Sequence, residues 1–135
     1  MSGEILYLDS SALVKLIVAK PETGALEELL ERWPHRASGE IAVVEVMRAA
    51  RRATGAAAVH SRAEEVLAAM PLVRLDRRIL EAAAELQPTS LCSLDAIHLA
   101  SALALGPDLG AFVVYDERLA AAARTAGCSV LSPGI

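Results

Sequence analysis

The sequence predicts an α/β protein built on a short, mainly parallel sheet. Two apolar segments typical of buried strands, 5–8 and 111–115, each run into an acidic residue and are followed by a helical pattern. Strands that alternate with helices in this way indicate a parallel sheet packed between helices. Hydrophobic residues make up 54% of the chain and aromatic residues only 3%. The core is therefore expected to consist of Ala, Leu and Val side chains, with helices dominating.

Helical periodicity and chain breakers place the remaining elements. Ser10 or Ser11 is expected to cap the first helix, Ser38 or Gly39 to start the third, and a hydroxyl at Ser93 to cap the sixth. Strands are expected at 5–8, 36–38, 72–75, 111–115 and 129–131. Helices are expected at 10–17, from Pro21 past Leu30, at 40–53 up to Gly55, at 60–70, from Asp76 to Leu86, from Ser93 to Gly106, and from 116 to Gly127.

Length and composition set limits on the function. With 135 residues we expect one domain spanning 1–135. The apolar runs are too short for a membrane span of roughly 20 residues and no export signal precedes them, so a cytoplasmic location without membrane association is expected. The two cysteines match no metal or redox spacing. A net charge of −4 argues against a nucleic-acid-binding surface unless arginines gather locally.

Four acidic residues lie where a parallel sheet would bring them together. Asp9 and Asp116 follow the two apolar strands, and ligands bind outside the carboxyl ends of such strands. Asp95 lies in the first turn of its helix. Glu45 lies inside a helix with apolar neighbours.

Each acid also has a structural explanation. Asp9 and Asp116 are suited to cap the helices that follow them, Asp95 suits the positive end of a helix dipole, and Glu45 is spaced to pair with Arg48 or Arg52. As a group they are harder to explain, because burying several carboxylates together is costly without a cation. Oxygen ligands favour Mg²⁺, or Mn²⁺, over zinc. Such a site is suited to phosphodiester hydrolysis by a metal-activated water.

Four motifs in this order resemble those of PIN-domain ribonucleases, and most closely the VapC toxins of bacterial toxin–antitoxin pairs. The motifs are "YLDSSALVKL", "AVVEVMRA", "SLDAIHLASAL" and "VVYDERLAAAARTAG". The resemblance covers nearly the whole chain. It implies a three-layer α/β/α sandwich, metal-dependent endoribonuclease activity on RNA, and inhibition by a cognate VapB-type antitoxin. It also implies a homodimer, or a heterotetramer or larger assembly with the antitoxin.

The resemblance also implies roles for individual residues. The catalytic acidic quartet falls on Asp9, Glu45, Asp95 and Asp116, with Asp9 and Asp95 as the direct metal ligands. Glu45 or Asp116 is then available as proton acceptor. Glu117 adjoins Asp116, and either is suited to complete the site. The hydroxyl residues after the first acid, Ser10 and Ser11, are candidates for binding a metal-bound water or a phosphate oxygen.

Other side chains have two interpretations each. Arg48 and Arg52 share a helical face with Glu45, which suits either a phosphate backbone or an acidic partner side chain. His98, three residues after Asp95, is either a buried structural residue or a functional one. The apolar stripe of the first two helices suits core packing, a partner groove, or a mixture of the two.

Two rival functions follow from the same residues. One is a housekeeping PIN nuclease that processes RNA without an antitoxin. The other is a non-catalytic PIN-like binding module, in which the acids are only caps and surface charges. An intact acidic quartet disfavours the second.

Overall fold

The computed structural model describes residues 2–53 and 55–135, and it is a three-layer α/β/α sandwich. Within those residues the strands are β1 (Ile5–Leu8), β2 (Arg36–Gly39), β3 (Leu72–Val73), β4 (Leu109–Val113) and β5 (Val130–Leu131). The helices are α1 (Ser10–Ile17), α2 (Thr23–Arg32), α3 (Ile41–Arg52), α4 (Ala56–Ala68), α5 (Arg77–Ala84), α6 (Ser93–Leu103) and α7 (Glu117–Thr125). The predicted fold class is confirmed.

The five strands form one sheet in the order β3-β2-β1-β4-β5, and every pairing is parallel. Strand β1 is central, with β2 on one side and β4 on the other. Leu8 pairs with Val113, so β1 and β4 end side by side. The residues that follow these two strands therefore emerge at the same edge of the sheet.

The two faces of the sheet bury different layers of helices, because alternate side chains of a strand point to opposite faces. Leu6 and Leu8 of β1 pack in the cluster formed with α1 to α4. Tyr7 packs on the opposite face with Phe112 of β4 and with residues of α6 and α7. Both clusters are built mainly from aliphatic side chains, as the composition predicts.

Two predicted helix caps and one predicted helix start are wrong. Neither Ser10 nor Ser11 caps α1, because Asp9 keeps extended backbone angles and its own side chain accepts the Ala12 N–H. Ser38 and Gly39 end β2 rather than starting a helix, and α3 begins at Ile41. Ser93 is already the first helical residue of α6, so its hydroxyl does not serve as the cap.

The apolar stripe of α1 and α2 belongs to the core. Leu13, Ile17, Leu26, Leu29 and Leu30 are buried. Leu16 is partly buried against the same cluster. Core packing thus explains the stripe without the partner groove that the sequence left open. None of the helices in the described residues is long and apolar enough to cross a membrane.

Candidate active site

Two of the four candidate acids lie at the shared edge of β1 and β4. Asp9 directly follows β1, and its N–H donates to the Val113 carbonyl of β4 at 3.4 Å. Asp116 follows β4 and caps α7, accepting the Leu119 N–H at 3.0 Å. Both aspartates therefore cap a helix and lie where ligands of parallel sheets bind. The capping role does not remove either residue from the site.

Asp9 is a nearly inaccessible carboxylate with few donors around it. Asp9 is only 4% exposed to solvent. It accepts the Ala12 N–H at 2.9 Å and the Ser11 hydroxyl at 2.8 Å. Burial raises the pKa of Asp9 to about 6, the charge of Asp95 adds to the rise, and the bonds from Ala12 and Ser11 oppose it. An ionised Asp9 at neutral pH therefore lies in surroundings that favour a nearby cation.

Asp95 lies close enough to the other acids to be affected by their charges. It occupies the first turn of α6 and is half-buried. Burial raises its pKa, and the charges of Asp116 and Glu45 raise it further. Asp95 and Asp9 also interact electrostatically. The structure thus brings the four predicted acids into one electrostatically coupled group.

Glu45 is held by hydrogen bonds from α1 and α6. Its Oε1 accepts from the Ser10 hydroxyl at 2.6 Å and lies 2.8 Å from His98 Nε2. Burial acts to raise the pKa of Glu45, but the bonds from His98 and Ser10 outweigh burial, and the pKa is lowered. In the described part of the chain the partner found beside Glu45 is His98, through a hydrogen bond, rather than Arg48 or Arg52. Glu45 is therefore fixed and ionised rather than a free surface carboxylate.

The candidate substrate-binding side chains fall into a buried and an exposed set. Ser10 is buried, with its hydroxyl directed to Glu45, whereas Ser11 is exposed beside Asp9. Arg48 and Arg52 are both exposed, one turn apart on α3. Ser11, Arg48 and Arg52 are therefore accessible to a ligand. Ser10 instead orients Glu45 through its hydrogen bond.

Two observations bear on whether Asp116 or Glu117 completes the acidic group. The charge of Asp116 raises the pKa of Asp95. Glu117 instead lines a separate surface cavity with Arg124 and Ile135. Of the two acids, Asp116 is therefore the one whose charge affects the pKa of Asp95.

Two further residues lie in the site region: His98, for which the sequence leaves a structural and a functional role open, and Tyr7, for which it predicts only a place in a strand. His98 is only 2% exposed, and its Nδ1 lies 2.9 Å from the Tyr7 hydroxyl. The spacing of three residues from Asp95 was a signal for His98, since both face one side of α6. For Tyr7 the sequence offers only one indication of a role, a phenol hydroxyl in an otherwise aliphatic strand.

The arrangement suits a hydrated divalent ion better than one fully enclosed by protein. Across residues 2–53 and 55–135, no three Asp, Glu, His or Cys side chains are grouped tightly enough to hold one ion together. Mg²⁺ commonly takes one or two carboxylates and keeps several waters. Asp9 and Asp95, which interact electrostatically, would be the carboxylates available to such an ion.

Comparison with known proteins agrees with this geometry. Residues 6–131 match the PIN domain family, a span that contains all four acids. The chain belongs to the PIN-domain family. Within that family its relatives are VapC proteins of Mycobacterium tuberculosis.

Three relatives illustrate the similarity. Ribonuclease VapC46 is 45% identical over 128 residues, which cover 95% of this chain and 97% of that protein. Ribonuclease VapC47 is 36% identical over 96% of this chain and 98% of its own length. Ribonuclease VapC35 is 39% identical with the same two coverages. The chain is thus a PIN-domain protein of the VapC type, matched over almost its whole length.

Proposed function

We propose that this VapC-type protein is a Mg²⁺-dependent endoribonuclease toxin that acts in the cytoplasm and is neutralised by a VapB-type antitoxin. The observation that carries the proposal is the buried Asp9 carboxylate coupled to Asp95 at the carboxyl edge of the sheet. Curated relatives that match nearly the full chain are named ribonucleases. A homodimer, or a heterotetramer or larger complex with the antitoxin, is the proposed assembly.

Asp9 and Asp95 are the proposed ligands of the ion. Both carboxylates have raised pKa values, so a bound cation would lower the electrostatic cost of ionising them. When bound, Mg²⁺, or Mn²⁺ in its place, would supply Lewis acidity and make a water molecule a stronger nucleophile. Asp116 would complete the pocket from the exposed side.

The chain itself supplies proton transfer and orientation. Glu45 is ionised and held by two hydrogen bonds, so it is the proposed acceptor of the proton released when water attacks. Arg48 and Arg52 would orient the phosphate backbone and offset the repulsion between RNA and a chain of net charge −4. Ser11 would place a hydroxyl near the scissile phosphate.

The test is RNA cleavage by purified protein that has been stripped of metal and then supplied with Mg²⁺. Asp95→Asn should abolish cleavage without unfolding the chain. Asp76→Asn is a matched control, because Asp76 caps α5 through the Ile79 N–H as Asp9 caps α1, but is absent from the acidic group. Retained cleavage in Asp95→Asn, or equal loss in both variants, would contradict the proposal.

The antitoxin part of the proposal has its own test. The chain is expressed in bacteria with and without its upstream neighbour gene, with Asp9→Ala as the inactive control, and cleaved RNAs are mapped. Growth arrest only without the neighbour supports a toxin. Cleavage without growth arrest in either case would instead support a housekeeping nuclease, and RNA binding without cleavage a non-catalytic module.

A further inference from the structure

His98 occupies the middle of a hydrogen-bond chain that runs from the sheet to the acidic group. Its Nδ1 lies 2.9 Å from the Tyr7 hydroxyl. Its Nε2 lies 2.8 Å from Glu45 Oε1 and 2.9 Å from the Ser10 hydroxyl. His98 and Tyr7 are both almost completely buried. This hydrogen-bond chain therefore connects a fixed core residue, Tyr7, to Glu45, which is partly exposed at the site.

The hydrogen-bond partners of His98 Nε2 show that this nitrogen carries a proton. Hydrogen bonds from His98 and Ser10 leave the pKa of Glu45 lowered despite burial, so the carboxylate is ionised and can only accept. The Ser10 hydroxyl donates its single proton to Glu45. The short contact between Nε2 and Glu45 then requires Nε2–H as the donor.

The other ring nitrogen is set by Tyr7. The ordinary pKa of a tyrosine phenol is about 10, so the Tyr7 hydroxyl keeps its proton at neutral pH. Ser38 and Ser101 lie near this phenol, but their hydroxyls donate to the carbonyls of Leu8 and Ile97, each at 2.7 Å. The Tyr7 hydroxyl lies within hydrogen-bond distance of His98 Nδ1, at 2.9 Å. With the O–H as donor in that bond, the imidazole is neutral and carries its proton on Nε2.

We propose that His98 is a positioning residue that aims the Glu45 carboxylate, and that Tyr7 fixes the tautomer in which His98 does so. Glu45 lies on the helix that carries Arg48 and Arg52, where an unrestrained carboxylate would have several orientations. The bond from His98, whose ring is fixed by the core, selects one of them. The inference rests on the proposed function, since aiming Glu45 serves a purpose only if Glu45 takes part in hydrolysis.

A spectroscopic measurement on the metal-free protein tests the tautomer without reference to activity. Long-range ¹H–¹⁵N spectra of the imidazole groups distinguish Nε2–H, Nδ1–H and doubly protonated rings, and the chain has only three histidines to assign. We expect Nε2–H for His98 at neutral pH, and loss of that preference in Tyr7→Phe. An Nδ1–H or doubly protonated ring in the native chain, or no response to Tyr7→Phe, would overturn the proposal.

A kinetic measurement tests the positioning role. His98→Leu removes the donor to Glu45, and loss of such a supporting partner typically costs about 10–100-fold in activity. We expect that loss in kcat, with KM changed less than about twofold. His98→Gln, whose amide N–H lies near the position of Nε2, should recover most of it. His60→Leu is the control, because His60 pairs with Glu64 on α4 and is not among the residues of the acidic group.

The double variant Glu45→Gln with His98→Leu separates positioning from an independent contribution. If His98 acts through Glu45, the double variant cleaves RNA no more slowly than Glu45→Gln alone. Additive losses, or full activity of His98→Leu, would refute the positioning role while the proposed ribonuclease stands. Absence of cleavage by the native chain, with the tautomer as expected, would refute the proposed function instead.

Discussion

Asp9 and Asp116 share a local pattern yet occupy different environments. Each follows an apolar strand, and each caps the next helix through the N–H three residues on. Asp9 is nearly inaccessible, whereas Asp116 is exposed. The difference shows that the strand–acid–helix pattern fixes where a carboxylate lies, while the helices packed around it decide its electrostatic state.

The packing that separates the two aspartates is specific. The start of α1 is covered by α3 and α6, joined there through the bonds of Ser10 to Glu45 and His98. The start of α7 has no comparable cover in the described residues, and Asp116 remains exposed. The central position of β1 in the sheet, with a strand on either side, adds to the enclosure of Asp9.

The largest expected difference between the two aspartates is in RNA cleavage. Asp9→Asn should lower kcat/KM by about 10³-fold or more, because it removes a proposed direct ligand of the ion. Asp116→Asn should lower kcat/KM by only about 10–100-fold, which is the usual cost of losing a residue that supports a metal site without binding the ion directly. The measurement is cleavage of a defined RNA at saturating Mg²⁺ with folded variants. A larger loss in Asp116→Asn would reverse the proposed roles.

The next difference is in the stability of the metal-free protein. Burial raises the pKa of Asp9 from its ordinary value of 3.8 to about 6. Between these values the folded state binds more protons than the unfolded state, so the contribution of Asp9 to stability decreases as pH rises from about 4 to about 6. Above that window ionised Asp9 costs roughly 2–3 kcal/mol.

Asp9→Asn should remove this cost, because asparagine keeps an oxygen for the Ala12 N–H but carries no charge. Chemical denaturation in chelator should show the variant more stable than the native chain at pH 7.5, with the difference lost near pH 4. Asp116→Asn should change stability by less than about 0.5 kcal/mol, as is usual at exposed positions. A destabilised Asp9→Asn at pH 7.5 would contradict the account of burial.

A smaller effect tests how tightly the buried half of the site is packed. A Cβ atom at Gly39 would lie 2.7 Å from the Tyr7 hydroxyl and 3.2 Å from the Ser101 hydroxyl. Gly39→Ala should therefore displace Tyr7 and destabilise the fold by roughly 1–3 kcal/mol. Gly24 in α2 has no atom within 4 Å of a built Cβ. Gly24→Ala should stabilise by about 0.5–1 kcal/mol, and thermal unfolding of the two variants compares them directly.

The fold could be predicted largely from the sequence, since its strands are short apolar runs and its helices have clear periodicity. The helix caps could not. Asp9 and Ser10 are both good caps, and only the extended backbone at Asp9 decides between them. Likewise, the hydroxyls of Ser10 and Ser38 bind Glu45 and the Leu8 carbonyl rather than capping a helix.

The candidate site was predictable in its acids but not in its supporting residues. The strand-end positions of Asp9 and Asp116 follow from the chain order of a parallel sheet. The bond between His98 and Glu45 joins residues 53 positions apart, on helices whose packing no local pattern encodes. The sequence pattern around Tyr7 predicts only an apolar strand, although the Tyr7 hydroxyl faces that same histidine.

The central claim is that the enclosed aspartate at the end of β1 binds a divalent ion. Calorimetric titration of Mn²⁺ into metal-free protein at pH 7.5 tests it most directly, with Asp76→Asn as the matched cap variant. We expect binding by the native chain and by Asp76→Asn, and an affinity at least about 10-fold weaker in Asp9→Asn. Equal Mn²⁺ affinity in Asp9→Asn and the native chain would contradict it.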